Sequence, residues 1–149
     1  MGRATDTKQT VAANVRRIRR DVQHLTAAEL AKRMSEAGVP LSGSGITDIE
    51  AGRRSVTVDQ LTALAAALDV SPVALLMPQA SGEGEIVKLS GVAPTPAIGA
   101  WLWLHSQCPI FSTENLPDSF ELEGFKRRSA PEWAWRLLKL HGAVETEGA

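Results

Sequence analysis

The spacing of hydrophobic residues predicts a series of short helices in the first half of the chain. The first helix carries one apolar stripe of residues three or four positions apart: Val11, Val15, Ile18 and Val22. Two later helices begin at capping boxes, in which a threonine precedes an acid or amide by three residues: Thr26 with Glu29 and Thr57 with Gln60. A serine–proline pair at 71–72 marks a further helix start. With the segment discussed next, these patterns predict five helices and no strand before residue 78.

The segment "GSGITDIEAGRR" (43–54) could be a phosphate-binding loop or a short helix. A P-loop requires lysine where this chain has Ser44, and a dinucleotide-binding G-x-G-x-x-G requires a third glycine where it has Asp48. A helix that begins near Ser42 instead points Ile46 and Ile49 inward. The residues that this helix turns outward are small or polar: Ser44, Thr47, Asp48 and Ala51. The glycine that follows suits the left-handed end of a helix, so the sequence favours the helical interpretation.

The second half of the chain carries weaker patterns. A polar, glycine-rich linker over residues 79–85 separates a domain at 8–78 from a second domain at 86–142, and residues 143–149 are expected to be a flexible tail. Residues 85–91 suit a short strand, and residues 95–106 suit a helix or a strand equally. Ser129 and Glu132 form a capping box that predicts a helix in "SAPEWAWRLLKLH". The predicted fold is therefore mainly α, with a small α or α+β C-terminal domain.

Composition excludes several classes of protein. The hydrophobic fraction of 44% and the charged fraction of 22% are typical of globular proteins. No apolar run is long enough to cross a bilayer, and the N-terminus lacks a secretory signal, so we expect a cytoplasmic protein without membrane association. The single cysteine, Cys108, rules out an internal disulfide and is expected to be a small buried hydrophobe. Three scattered histidines and one cysteine lack metal-ligand spacing, and we expect neither a metal nor another cofactor.

Charge is distributed unevenly along the chain. Residues 1–60 contain 10 Lys and Arg against 7 Asp and Glu, whereas residues 61–149 contain 6 against 10. A basic N-terminal part suits contact with a polyanion, and the acidic C-terminal part suits another role.

Four stretches carry a resemblance to a known family: "NVRRIRR", "TAAELAKRM", "SGSGITDIEAGRR" and "LTALAAALDVSPVALL". Over residues 10–77 the chain resembles the five-helix DNA-binding domain of the lambda repressor/Cro family, also called the XRE family. The resemblance implies a transcriptional regulator that binds double-stranded DNA, with the helix from Ser42 as the recognition helix. The residues that it places at the DNA are Thr26, Ser42, Gly43, Ser44, Thr47, Asp48, Arg53 and Arg54.

The resemblance also implies a role for each of these residues. Four of them meet base edges: Gly43, Ser44, Thr47 and Asp48. The others approach phosphates, either at helix N-termini or just past the recognition helix: Thr26, Ser42, Arg53 and Arg54. Glu50 would pair with Arg19 of the first helix. The residues alone leave Asp48 with two roles, since it could contact a base or pair with Arg53 or Arg54.

Three roles remain open for the C-terminal half, which contains all four tryptophans. They could form a compact aromatic core, or a surface for self-association or for a partner. A second DNA or partner surface could be formed by basic residues: Lys126, Arg127, Arg128 and Arg136. We expect a phage or bacterial repressor that blocks a promoter and is not an enzyme. It could act as a homodimer through its C-terminal half or as a monomer that uses both halves on an asymmetric site. The alternative is an antitoxin or interaction module whose C-terminal half binds a partner protein.

Overall fold

The computed structural model describes residues 6–138 and divides the chain into two compact units. The first unit comprises Met1–Gln79 and Lys88–Gly91, and the second comprises Ala80–Val87 and Val92–Ala149. The segment Lys88–Gly91, which follows the expected linker, therefore lies with the first unit. In this segment, the backbone N–H of Ser90 donates to the hydroxyl of Thr7 at 2.9 Å. The backbone N–H of Thr7 donates to the hydroxyl of Ser90 at 3.0 Å. The expected tail at 143–149 lies outside the described residues.

The first unit contains the five predicted helices. Their bounds are α1 at Thr7–Arg17, α2 at Ala27–Glu36, α3 at Gly43–Glu50, α4 at Val58–Ala67 and α5 at Pro72–Leu76. Both threonine capping boxes are present, because each threonine hydroxyl accepts from the backbone N–H three residues later and the acid or amide there accepts in return. The prediction of a mainly helical fold is confirmed, with five helices in the N-terminal part.

A single apolar core holds these helices together. α1 packs against α3 and α5, while α2 packs against α3 and α4. The core is formed by buried side chains from all five helices and the α2–α3 turn: Val11, Val15, Ile18, Leu30, Met34, Leu41, Ile46, Ile49, Leu64, Ala65, Leu68 and Leu75. Since burial of one such side chain contributes about 1.5–3 kcal/mol, this core supplies the main driving force for folding.

One member of the predicted apolar stripe is not in this core. Val22 is 53% exposed, so the prediction that it is buried was wrong. After α1 the chain continues into a π-helical turn at Ile18–Val22, where the N–H of Gln23 donates to the carbonyl of Ile18. This wider turn changes the angular position of Val22 relative to the stripe.

A buried asparagine ties α1 to the end of α5. The Nδ2 of Asn14 donates to the carbonyls of Leu75 and Met77 at 3.0 and 2.8 Å, and its Oδ1 accepts from Gln79 at 3.0 Å. These bonds satisfy a polar side chain that has no exposed surface. Asn14 therefore fixes the position of the chain as it leaves the last helix.

The second unit combines a small hairpin with two helices and a 3₁₀ helix. Strands β1 (Ile86–Val87) and β2 (Thr95–Pro96) pair antiparallel, with Val87 opposite Thr95. They are followed by α6 at Ala97–Leu104, α7 at Ser119–Ser129 and the 3₁₀ helix at Glu132–Leu137. The short strand expected from residue 85 is present, and residues 95–106 are mainly helical. Part of the polar linker forms an ordered turn, in which Glu85 accepts from the backbone N–H and the hydroxyl of Ser81, both at 2.7 Å, and these bonds lower the pKa of Glu85.

One prediction for this unit was wrong, and one of the alternatives left open for the tryptophans is not borne out. Ser129 does not begin a helix; it is the last residue of α7. Ala130 precedes a proline, and it takes an extended conformation that ends α7 before the 3₁₀ helix begins. A compact core built on tryptophans is also absent from the described residues: Trp101 and Trp133 are 46% and 70% exposed, and the other two are half-buried.

The buried apolar side chains of the second unit are mostly small. Among the described residues they are Val87, Pro96, Ala97, Ala100 and Cys108. The prediction for Cys108 is confirmed, and burial raises the pKa of its thiol. Within residues 6–138, no helix has the length and hydrophobicity needed to cross a membrane.

Candidate nucleic-acid interface

The helix α3 is anchored on one side and open to solvent on the other. Ile46 and Ile49 lie in the core with at most 1% of their surface exposed, as their spacing predicts. Ser44 and Thr47 lie on the exposed side. The Thr47 hydroxyl donates to the carbonyl of Ser44 at 2.9 Å, which leaves its oxygen free to accept from another donor. α3 therefore presents short polar groups on a rigid support.

The N-termini of α2 and α3 lie side by side. A Cβ added to Gly43 would stand 3.8 Å from the backbone nitrogen of Ala28, so the first turns of the two helices are in contact. The first N–H groups of a helix have no partner within it, and they favour a nearby anion. Two such ends at one place form a surface suited to phosphate.

Side chains cap both of these helix ends. The Ser42 hydroxyl accepts from the N–H of Gly45 at 3.0 Å, and the Thr26 hydroxyl accepts from the N–H of Glu29 at 3.1 Å. Glu29 accepts in return from the N–H of Thr26 at 2.7 Å, and the hydrogen bonds with Thr26 hold the pKa of Glu29 below its usual value. Thr26 and Ser42 thus lie at the joined ends, as the resemblance implies.

The two arginines after α3 have different surroundings. Arg53 donates from Nε and Nη2 to Oδ1 of Asp48 at 3.0 and 2.8 Å, and the side chains are 67% and 44% exposed. Exposed ion pairs are weak, so a phosphate could compete with Asp48 for this guanidinium. Nη1 of Arg54 would lie 3.0 Å from a Cβ at Gly45, which places it over the first turn of α3. Gly52 has a φ of +76°, so the turn that carries both arginines uses a conformation suited to glycine.

A buried ion pair fixes the far end of α3. Arg19 donates from Nε and Nη2 to the two carboxylate oxygens of Glu50 at 2.6 and 2.9 Å, and from Nη1 to the carbonyl of Leu25 at 2.8 Å. Both side chains are at least nine-tenths buried. The hydrogen bond with Glu50 raises the pKa of Arg19 despite the opposing effect of burial. One guanidinium therefore joins the end of α1, the approach to α2 and the end of α3.

The other arginines of α1 and its π-helical turn line a separate surface depression. Arg16, Arg17 and Arg20 border a depression of about 500 Å³ between α1 and the end of α3. Acidic residues line it as well: Asp6, Asp21 and Glu50. Lys8 lines it too, so four basic side chains stand against three acidic ones, and one of the three, Glu50, is already paired with Arg19. The depression is therefore net basic.

The basic residues of the second unit are partly engaged within that unit. Lys126, Arg127 and Arg128 occupy the last turn of α7, and Arg136 lies in the 3₁₀ helix. Arg127 donates to Glu123 at 2.7 Å, and its guanidinium carbon lies 4.7 Å from the centre of the Trp135 ring. The structure therefore brings three of the four candidate residues to one helix end.

Sequence analysis missed several polar residues that join the helices of the first unit. Asn14 is one of them. Gln23 donates to the carbonyl of Leu68 and Arg33 donates to the carbonyl of Ala67, both at 2.9 Å. The available signal was a polar residue on the apolar side of a predicted helix, as Asn14 is beside Val11 and Val15. Within the described part of the chain, no cluster of histidine, cysteine or acidic side chains could hold a metal ion.

Comparison with known proteins gives a match to a family model and a match to a solved structure. A family model described as helix-turn-helix matches residues 15–75. A solved structure of a hypothetical transcription factor from Neisseria is 24% identical, with a TM-score of 0.44, over 52% of this chain and 83% of that chain. No curated protein matches the sequence.

Proposed function

We propose that the protein is a DNA-binding transcriptional regulator and that it acts as a repressor, since residues 15–75 match a helix-turn-helix family model. In this proposal α3 occupies the major groove of an operator and thereby blocks access of polymerase to the promoter. The observation that carries the proposal is the placement of α3: its isoleucines are buried, its polar side is exposed, and its N-terminus adjoins that of α2.

Base recognition is assigned to the exposed side of α3. The major groove of B-DNA is about 12 Å wide and accepts one helix, whose short side chains can reach base edges. Ser44 and Thr47 can donate or accept hydrogen bonds there, and Gly43 allows the backbone to approach closely. Asp48 can only accept, which suits the amino group of cytosine, provided that Arg53 turns from Asp48 to a phosphate.

Phosphate contacts are assigned to the edges of the same surface. Thr26 and Ser42 stand at two helix N-termini, where N–H groups and hydroxyls can meet the DNA backbone. Arg53 and Arg54 would bind phosphates beside the recognition helix. These contacts orient the protein, while the contacts from α3 select the sequence.

The mechanism needs no chemical step, since the bound domain itself obstructs the promoter. We further infer that the protein binds as a homodimer through its C-terminal half. Two copies related by a two-fold axis match a palindromic operator, whose half-sites lie one helical turn apart.

The decisive experiment is selection of bound fragments from random double-stranded DNA, followed by one matched pair of variants. Thr47→Val removes a hydroxyl from α3 and should lower discrimination between the selected site and a site with a single base change by about 5- to 150-fold. The control is Thr62→Val, since Thr62 is an exposed helical threonine whose hydroxyl also donates to the carbonyl three residues earlier. It should leave discrimination unchanged. Failure to enrich any sequence, or equal effects of the two variants, would refute the proposal.

A further inference from the structure

Helix α7 lacks the burial that normally stabilises a helix of its length. None of its 11 residues is fully buried, and Phe120 is 86% exposed. Isolated helices shorter than about 12–15 residues are marginal in water, and packing of an apolar face usually stabilises them. The described residues of the chain therefore leave the apolar side of α7 at Phe120 uncovered.

The surroundings of α7 add further exposed apolar surface. Three more large side chains between residues 116 and 137 are at least two-thirds exposed: Leu116, Trp133 and Leu137. Aromatic side chains bury about 150–250 Å² each, so covering these residues and Phe120 would remove on the order of 500 Å² per copy from water. Stable interfaces bury roughly 800 Å² per partner, and the flanking polar residues could supply the rest.

The charges of α7 identify the occupant. The start of the helix is acidic, with Asp118 at the N-cap and Glu121 and Glu123 after it, and its last turn is basic, with Lys126, Arg127 and Arg128. A helix with this arrangement is complementary to itself when two copies run antiparallel, because each acidic half then faces a basic half. We propose that α7 forms the interface of the homodimer by packing antiparallel against α7 of a second copy. This inference rests on the dimeric repressor proposed above, whose interface it specifies.

The helical spacing defines the centre of this interface. Phe120, Glu123, Gly124 and Arg127 stand at i, i+3, i+4 and i+7, on one side of α7. A two-fold axis between Glu123 and Gly124 places each Phe120 beside Arg127 of the second copy. The same axis sets the two Glu123 residues one position apart at the centre, and it places Arg127 of each copy about one helical turn from Glu123 of the other. The end of the flexible Arg128 side chain lies 3.0 Å from a Cβ built at Gly124, so close approach of the two helices at this glycine requires Arg128 to turn aside.

The first test measures self-association of the full-length chain by sedimentation velocity over a range of concentrations. The wild type should shift from the chain mass of 16.0 kDa to twice that mass. Phe120→Glu changes an exposed residue and should raise the dissociation constant of the dimer by at least about tenfold. The matched control is Val58→Glu on α4 of the first unit, where Val58 is 80% exposed, and it should leave the dissociation constant unchanged.

The second test uses charge. Glu123→Arg and Arg127→Glu each give α7 two like charges in place of an ion pair, and each variant alone should be monomeric. An equimolar mixture should form a heterodimer, because one helix then presents two arginines to two glutamates. The ion pair within each chain is lost in both variants and is not restored by mixing. Recovery of the dimer would therefore report contact between chains.

Several results would overturn the interface. These are a wild type that stays monomeric at every concentration, a dimer insensitive to Phe120→Glu, and a mixture that fails to associate. A stoichiometric complex in which a different protein covers Phe120 would also overturn it. A monomer that still binds its selected DNA would refute the interface alone, whereas a dimer without affinity for DNA would refute the repressor function alone.

Discussion

At the scale of single residues, the ion pair between Arg19 and Glu50 is the contact on which the orientation of α3 most depends. Its two hydrogen bonds are short, and both side chains are almost completely buried. A buried ion pair adds little to stability relative to apolar residues, but removal of one partner leaves a charge without compensation. Without Glu50, Arg19 cannot neutralise itself by losing a proton, because a guanidinium stays protonated in proteins.

We therefore expect Glu50→Ala to lower the free energy of unfolding by about 3 kcal/mol. The matched control is Glu36→Ala, which removes an exposed partner of Lys32 at 3.9 Å and should change stability by less than about 0.5 kcal/mol. Urea denaturation followed by circular dichroism measures both variants. Equal losses in the two variants would show that the buried pair has no special importance.

At the scale of elements, α1 and α5 are joined by the buried Asn14. Truncation of this side chain removes two hydrogen bonds to the carbonyls of Leu75 and Met77 and leaves those groups without their donor. We expect Asn14→Ala to lower the free energy of unfolding by about 3 kcal/mol, since unsatisfied buried polar groups cost about 1–3 kcal/mol each. Thermal denaturation of this variant should be compared with that of Gln79→Ala.

Gln79 provides the control because it is exposed and its Nε2 donates to Oδ1 of Asn14 at 3.0 Å. Its truncation should cost less than about 1 kcal/mol, since water can replace an exposed donor. If Asn14→Ala is as mild as Gln79→Ala, the asparagine does not hold the end of α5 in place.

The elements that sequence could predict are those with strong local signals. The capping boxes at Thr26 and Thr57 mark helix starts because they satisfy backbone groups within four residues. The inward positions of Ile46 and Ile49 followed from helical spacing alone. The pairing of Arg19 with Glu50, by contrast, came from family resemblance, because residues 31 positions apart leave no local pattern.

The elements that sequence missed depend on contacts or on conflicting signals. Helix α7 has a capping box between Asp118 and Glu121, but Gly124 and the mixed charges obscure its apolar stripe. Val22 is exposed because the helix widens into a π-helical turn, which no local pattern announces. The exposed fraction of each tryptophan depends on which other side chains of the second unit pack against it, and composition cannot predict this packing.

At the scale of the whole molecule, charge separates the two halves of the chain. Residues 1–60 carry a net charge of +3 and residues 61–149 a net charge of −4, from 10 basic and 7 acidic residues against 6 and 10. An acidic second half is repelled by phosphate, so we assign the electrostatic part of DNA binding to the first half. Arg54 and Arg136 provide matched probes of this assignment, since both are exposed arginines and they lie in different units.

The logarithm of the binding constant for the selected DNA site should fall linearly with the logarithm of the salt concentration. The slope should be about −0.9 for each phosphate that the protein contacts. Arg54→Gln should reduce the magnitude of this slope by about 0.9, because one ionic contact beside α3 is lost. Arg136→Gln should leave the slope unchanged if the second unit stays away from the DNA. Fluorescence anisotropy at several salt concentrations measures both slopes. An equal reduction in the two variants would mean that the basic residues of the second unit also bind phosphate, and the charge asymmetry would then not define where the DNA lies.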